Sequence, residues 1–227
     1  MSSFIKFMKN KGLWKQSPKT IDITVLKAPV QSKIENQKTK HKKAKNMQKI
    51  KKFEIKNIFG IDCEMVGVGE GKEDVLARVS IVTKDDVLLD TFVRVDEEIT
   101  EFRTEVSGVT PEKLAEADKD FQTVSLLVQD ILDHADVIVG HGLDHDQEVL
   151  MMEFPHSKVR DTSKYRPFLK GGRTPSLKKL TKKYLEREIQ DGEHDSVDDA
   201  RAAVDLYLLV FLKKFFVLIH LNLKGAR

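Results

Sequence analysis

Gly60-Ile61-Asp62-Cys63-Glu64-Met65 sets two carboxylates two residues apart in a run that otherwise reads as a buried strand. Successive side chains of a strand point to opposite faces. Asp62 and Glu64 therefore share one face, and Ile61, Cys63 and Met65 share the other. Two anions on one face of an apolar strand repel each other and resist burial. A bound divalent cation removes both difficulties, and oxygen-only ligands suit Mg²⁺ or Mn²⁺. Asp-x-Glu also arises by chance on solvated edges and loops. The flanking Phe59, Ile61 and Val66 argue instead for a strand within a sheet. The question is whether the chain supplies more such ligands.

Outward from this strand, the pattern predicts an α/β or α+β sheet with helices on its faces. Ile58–Met65, Ala77–Val82 and Val87–Val95 read as three strands. The short turn Thr83-Lys84-Asp85-Asp86 between the last two favours an antiparallel meander. Pro111 opens a short helix with Thr110 as its N-cap. A helix from about Thr123 to Asp133 carries the apolar stripe Val124, Leu127, Val128, Ile131 and Leu132. Asp136–Gly140 (DVIVG) is a short continuous apolar strand expected to lie parallel in the sheet centre. Helices follow at Leu143–Glu153, at Leu177–Leu185 with Ser176 as a cap, and at Ser196–Lys214, with a short strand at Val159–Asp161.

The chain has 227 residues, of which 33% are charged and 40% hydrophobic. That allows one ordinary domain, expected over residues 53–214, plus a tail. One cysteine excludes a disulfide framework and a cysteine-rich zinc site. The N-terminal MSSFIKFMKNKG lacks a continuous apolar core, so no secretory signal is expected. Leu208 to Leu223 is strongly apolar, but Lys213 and Lys214 interrupt it. It falls short of the roughly 18–20 clean residues of a membrane span, and residues 215–227 read as an apolar tail.

The net charge of +3 hides an asymmetry. Residues 1–52 carry about fifteen lysines against two acids, Asp22 and Glu35, and the remainder is net acidic. Lys38 to Lys52 has no apolar periodicity and reads as disordered in isolation. Lysine without aromatics suits phosphate neutralisation without base readout, and equally a nuclear or nucleolar address.

Further carboxylates stand at informative places. DVIVG runs into Gly140-His141 and Leu143-Asp144-His145-Asp146. Ligands of open parallel sheets bind outside the carboxyl ends of the strands, where either Asp144 or Asp146 could reach; acids are also favoured in the first turn of any helix. The last helix opens with Glu193-His194-Asp195-Ser196-Val197-Asp198-Asp199. Ser196 with Asp199 fits a capping box, which accounts for Asp199 without chemistry. His194 lies on a loop, and histidine is the side chain best suited to take a proton near neutral pH. The ordered set carries the weight: Asp-x-Glu on a first strand, Asp after a central strand, His-x-x-x-x-Asp entering the final helix. Four carboxylates could hold two cations about 3.5–4 Å apart, and one base could deprotonate a water, as in-line phosphoryl displacement requires.

At this point the chain resembles the DEDDh exonucleases, the branch of the RNase H-like fold that includes DnaQ-type proofreading nucleases. Within that branch, GIDCEMVGVG, ARVSIV, FRTEVSGVTPE, VIVGHGLDHDQEVL, RDTSKY and EHDSVDDARAAVDLYLL are similar to the RNA exonuclease 4 subfamily, which also includes the interferon-stimulated RNA exonucleases. The similarity runs from about Ile58 to about Leu212. It implies an RNase H-like mixed sheet, three antiparallel strands then parallel strands, with helices on both faces.

Position by position, the resemblance implies Asp62, Glu64, Asp146 and Asp199 as ligands of two divalent cations, and His194 as general base. The pattern Gly-His-x-Leu-x-x-Asp favours Asp146 over Asp144, and Asp198 becomes a solvent-facing neighbour. Met65 is expected to line the nucleotide pocket, Arg103 to contact substrate, and Asp161 to support rather than ligate. Gly142 and Asp144 depart from the family pattern without removing a ligand. The implied activity is 3′→5′ exoribonuclease action on a single-stranded RNA 3′ end, releasing nucleoside 5′-monophosphates. The implied setting is nuclear or nucleolar, with pre-ribosomal particles as partners and no membrane. Two rivals are a non-catalytic RNA-binding ribosome-assembly factor on the same fold and a 3′→5′ DNA exonuclease.

Overall fold

The computed structural model describes residues 57–70 and 73–224, with side chains up to residue 211. The basic arm 1–52 and the expected domain start at Phe53 lie outside the described residues.

A six-stranded mixed sheet forms the centre, in the order β3-β2-β1-β5-β6, with β4 also paired to β1. β1 (Ile58–Val68), β2 (Glu73–Val82) and β3 (Val87–Phe92) pair antiparallel. β5 (Val137–Gly140) and β6 (Val159–Asp161) continue the sheet in parallel from β1. β5 is buried along its whole length, which accounts for its unbroken apolar run. β1 and β2 run longer than expected because their ladder continues past Glu64, pairing Met65–Val68 with Leu76 to Glu73, and β4 (Ile99–Glu101) adds a partner for Gly67 and Val68 on the other edge of β1. β4 and the following α1 (Thr104–Ser107) were not anticipated, being too short to carry a period.

α2 (Pro111–Ala115) begins as expected, with the Thr110 hydroxyl accepting from the backbone N–H of Lys113. α3 (Phe121–Asp133) starts earlier than expected, because Asp120 caps it through the N–H of Thr123. α4 (Leu143–Val149) stops short of Glu153. Met151 adopts a left-handed φ of 49°, and the Gln147 side chain accepts from the N–H of Phe154, closing the chain on itself. In α5 (Leu177–Tyr184), Ser176 occupies the N-cap position but its side chain makes no capping bond. α6 runs Ser196–Lys224, so the last helix does not end at Lys214. Among the described residues no helix is long and apolar enough to cross a membrane.

Two glycines set the approach of helices to β1. A Cβ on Gly60 would meet the Ala200 carbonyl and the Val204 side chain at 2.6 Å each, so α6 lies directly on the strand there. A Cβ on Gly140 would strike Leu143 and approach the Ile61 carbonyl at 3.0 Å, so the β5–α4 turn folds tightly against β1. Farther along the Gly60 face, Val66 packs with Ala77, Val109 and Leu114 beneath α2. Asp62 and Glu64, alternate residues on that same face, lie between the stretch under α6 and the stretch under α2. A second core joins α5 to α6 through Leu177, Leu180, Ile189, Ala202 and Leu206.

Candidate active site

The pairing of β1 creates the opening. β5 pairs only with Ile58 to Gly60, and β4 only with Gly67 and Val68. Between them one edge of β1 is free of strand partners, and α4 brings Asp146 to it. Asp146 is buried, and the thiol and backbone N–H of Cys63 are directed at its carboxylate. Asp144, two residues earlier, is exposed and pairs with Lys164 at 2.6 Å. Asp161 holds the turn that carries α4: its Oδ1 accepts from the N–H of Gly142 and of Ser163.

Asp199 reaches the same region from α6. Ser196 and Asp199 do not form the expected capping box. Asp195 caps α6 instead, its Oδ1 accepting from the N–H groups of Val197 and Asp198. The Ser196 hydroxyl is buried against that of Ser80 on β2, 2.7 Å away. Asp199 is thereby free of any helix-capping duty, and Asp198 is exposed and pairs with Arg201. His194 is half-buried on the loop before α6, with Nδ1 3.8 Å from Asp199 Oδ2. Gly108 supports that loop, since a Cβ there would lie 2.5 Å from the His194 carbonyl. The Lys113 amine also joins the two segments, donating to the Gly108 carbonyl and pairing with Glu193.

Four acidic side chains are held in surroundings that disfavour their charged forms. Burial raises the Asp62 carboxyl well above its ordinary range, and the charges of Asp146, Asp199 and Glu64 add to the rise. Glu64 is pushed up to about 8, by burial first and Asp199 next. Asp146 is raised to about 6 by burial, against the pull of Cys63. Burial also raises Asp199, opposed by the Gln190 amide and His194. Glu64 Oε1, Asp161 Oδ2 and Asp199 Oδ1 are buried with no hydrogen-bond partner. Such oxygens are costly to leave unsatisfied.

These features test whether the residues fit divalent cations. Hard oxygen donors, mutual repulsion and unsatisfied carboxylate oxygens on Glu64 and Asp199 all favour a bound cation. The side chains are not closed into a ligand shell: among the described residues no three His, Cys, Asp or Glu form a ready-made metal-holding group. Asp146 and Asp199 lie within electrostatic range of Asp62 and Glu64 without closing around a common point.

Two residues to which the sequence reading assigned no role belong to this site. Arg78 stands opposite Glu64 in the β1–β2 register and lowers the carboxyl pKa of both Asp62 and Glu64. It pairs with Asp90 through two nitrogens at 2.8 and 2.9 Å and with Asp195 at 3.4 Å. Gln190 donates its amide to Asp199 Oδ2. An arginine within the apolar run of β2 was the available signal for the first; the second had none.

Met65 is half-buried beside a register shift, where Glu64 faces Arg78 but Met65 faces Leu76. Arg103 is the exposed N-cap of α1, with a left-handed φ of 52°. Its guanidinium pairs with Asp74 at 2.6 Å and Glu101 at 3.0 Å, the β-ladder partners of Gly67.

The family described as Exonuclease matches residues 59–207. The chain belongs to the exonuclease family. It is 49% identical over 162 residues to RNA exonuclease 4 of Saccharomyces cerevisiae, covering 69% of this chain and 55% of that protein. To human RNA exonuclease 4 it is 43% identical over 157 residues, covering 67% of this chain and 36% of that one. The chain thus spans about half, or less, of these two relatives. Among solved structures, the pseudoubiquitin hydrolase–RNA exonuclease module of Saccharomyces cerevisiae Pan2 in complex with A7 RNA matches with a TM-score of 0.64 and 29% identity, covering 75% of this chain and 31% of that one. The Neurospora crassa Pan2 catalytic unit gives the same TM-score at 26% identity, with 75% of this chain and 29% of that chain covered. These likenesses agree with the expected RNase H-like mixed sheet. The divalent metals general to this family fit the carboxylates described above.

Proposed function

We propose that the chain is a metal-dependent 3′→5′ exoribonuclease that releases nucleoside 5′-monophosphates. The observation that carries this reading is the confinement of Asp62, Glu64, Asp146 and Asp199, two of them with orphaned buried oxygens, beside His194 in an exonuclease-family chain. These four residues would hold two Mg²⁺ or Mn²⁺. When bound, the cations supply Lewis-acid stabilisation of the attacking water and the departing 3′ oxygen.

The residues of the chain do the rest. His194 accepts a proton from the attacking water at an imidazole nitrogen. Gln190 holds Asp199 Oδ2, which turns the other carboxylate oxygen to the site. Arg78 offsets part of the anionic charge and ties the start of α6 to the sheet. Met65 lines the terminal nucleotide, and Arg103 exchanges its carboxylate partners for a phosphate. The relatives' names support RNA as the substrate, and the RNA-bound neighbour supports a single-stranded ligand. The Lys-rich arm fits phosphate contact and a nuclear or nucleolar setting, with precursor ribosomal RNA as the substrate pool.

The test is hydrolysis of end-labelled RNA and DNA by the purified chain with Mg²⁺, Mn²⁺ or EDTA. Stepwise shortening of RNA from its 3′ end, lost in EDTA, is expected. Cleavage that persists in EDTA, or proceeds from the 5′ end, would overturn the reading.

A further inference from the structure

From Ser163 to Lys183 the chain carries eight cations and no acid. Lys164, Lys178 and Lys182 are neutralised by Asp144, Asp191 and Glu188. Of the other five, Arg166 stands apart, and Lys170, Arg173, Lys179 and Lys183 are set against each other in two pairs. Lys170 and Arg173 form an antiparallel hydrogen-bonded pair across the Gly171-Gly172 turn. Residues directly opposite in such a pair project their side chains to the same side, where like charges destabilise. On α5, Lys179 and Lys183 are four residues apart, another like-charge neighbourhood. All four are exposed, and among the described residues none has a carboxylate partner. Lys183 lies over the Tyr184 ring at 4.7 Å.

Both cationic pairs are fastened to the elements that carry the acids. The hairpin leaves the sheet after β6, at the carboxyl end of the parallel strands. Its base is tied down by the Thr174 hydroxyl, which donates to the Ser163 carbonyl, and by Pro175, which meets His141. His141 in turn bonds Thr162 and stands at the entry to α4, the helix of Asp146. On α5, Lys178 donates to the Gln190 carbonyl, and Gln190 holds Asp199. A fold that keeps four unpaired cations opposed to one another beside a polyanion-cleaving site stabilises them when a run of phosphates lies between them.

We infer that Lys170, Arg173, Lys179 and Lys183 form a track for the phosphodiester backbone of the RNA upstream of its 3′ end. The inference rests on the exonuclease reading, because the site takes the terminal nucleotide and the track takes the strand behind it. Its contacts are to phosphate and carry no sequence preference. A strand long enough to reach the track binds more tightly than one that fills only the site.

The test compares the full chain with the variant Lys170→Gln/Arg173→Gln/Lys179→Gln/Lys183→Gln. Binding of a 20-nucleotide single-stranded RNA and of a trinucleotide is followed by fluorescence anisotropy in EDTA at several salt concentrations. Trinucleotide hydrolysis is followed separately with Mn²⁺. The 20-mer should bind about tenfold more weakly, with a salt slope smaller by about 3, since each lost single-strand phosphate contact removes about 0.7. Trinucleotide binding and hydrolysis should be unchanged, which also shows that the variant folds. An unchanged 20-mer affinity and slope would overturn the track, as would an equal loss on the trinucleotide. A wild-type chain that fails to hydrolyse the trinucleotide would instead overturn the exonuclease reading, and with it a track leading to that site.

Discussion

Gln190 donates its side-chain amide to Asp199 Oδ2 at 2.6 Å, while Oδ1 of the same carboxylate is buried without a partner. One oxygen is oriented by the protein, and the other is open to the cation proposed for this site. Groups that orient a metal-binding carboxylate typically contribute ten- to a hundredfold in metal affinity. Gln190→Leu should therefore weaken Mn²⁺ binding by at least about tenfold, read by titration with paramagnetic resonance detection. Unchanged affinity would show that Asp199 needs no such support.

Asp62→Asn and Asp199→Asn remove proposed cation ligands from a crowded set of acids. Each should lower RNA hydrolysis by about a thousandfold or more, the rate equivalent of several kcal/mol of lost charge stabilisation. The same changes relieve repulsion, so the metal-free melting temperature should hold or rise. His194→Ala should slow turnover by about 10²–10⁴-fold with little change in metal affinity. Full activity in either Asp variant would break the ligand assignment.

The raised carboxyls make metal-free stability fall with pH. Glu64, pushed to about 8, and Asp146, at about 6, retain protons in the native state that the unfolded chain releases near the ordinary values of 4.5 and 3.8. The native state binds more protons across that window, so unfolding free energy declines as pH rises from about 5 through about 8. Melting curves in EDTA should show this decline, and Glu64→Gln should make it shallower. Saturating Mg²⁺ should flatten it and release protons on binding, detected by calorimetry in buffers of different ionisation enthalpy.

Gly60 has no room for a methyl group between β1 and α6. Gly60→Ala should destabilise the chain by about 1–3 kcal/mol, the usual cost of overpacking. It should also depress turnover below the level explained by the folded fraction, because displacement of α6 carries Asp199 with it. Denaturant unfolding alongside kcat measured on folded protein separates the two effects.

Removal of residues 1–52 should weaken RNA binding and flatten its salt dependence, since the arm supplies about fifteen lysines. Anisotropy titrations with the intact and shortened chains decide this. An unchanged slope would restrict the arm to addressing.

The strand period alone placed Asp62 and Glu64 on one face, and the shared face is what the β1 ladder shows. The parallel course of β5 was equally readable, because a four-residue apolar run after a helix has no other place to be buried. β4 and α1 were not, at three and four residues. The cap of α6 was misread because Ser196 and Asp195 are equally good capping residues by type. What separates them is Ser80, far away in sequence, whose hydroxyl takes up Ser196.

The local sequence therefore determined which carboxylates exist, how two of them are oriented, and which helix start brings the imidazole near a third. Such properties follow from backbone periodicity, which acts over a few residues. Tertiary structure alone decided that the free edge of β1 lies where Asp146 arrives, that Arg78 faces Glu64, and that Gln190 takes one oxygen of Asp199. Those relationships depend on sheet register and helix approach, set by packing between segments far apart in the chain, and no short-range pattern encodes them.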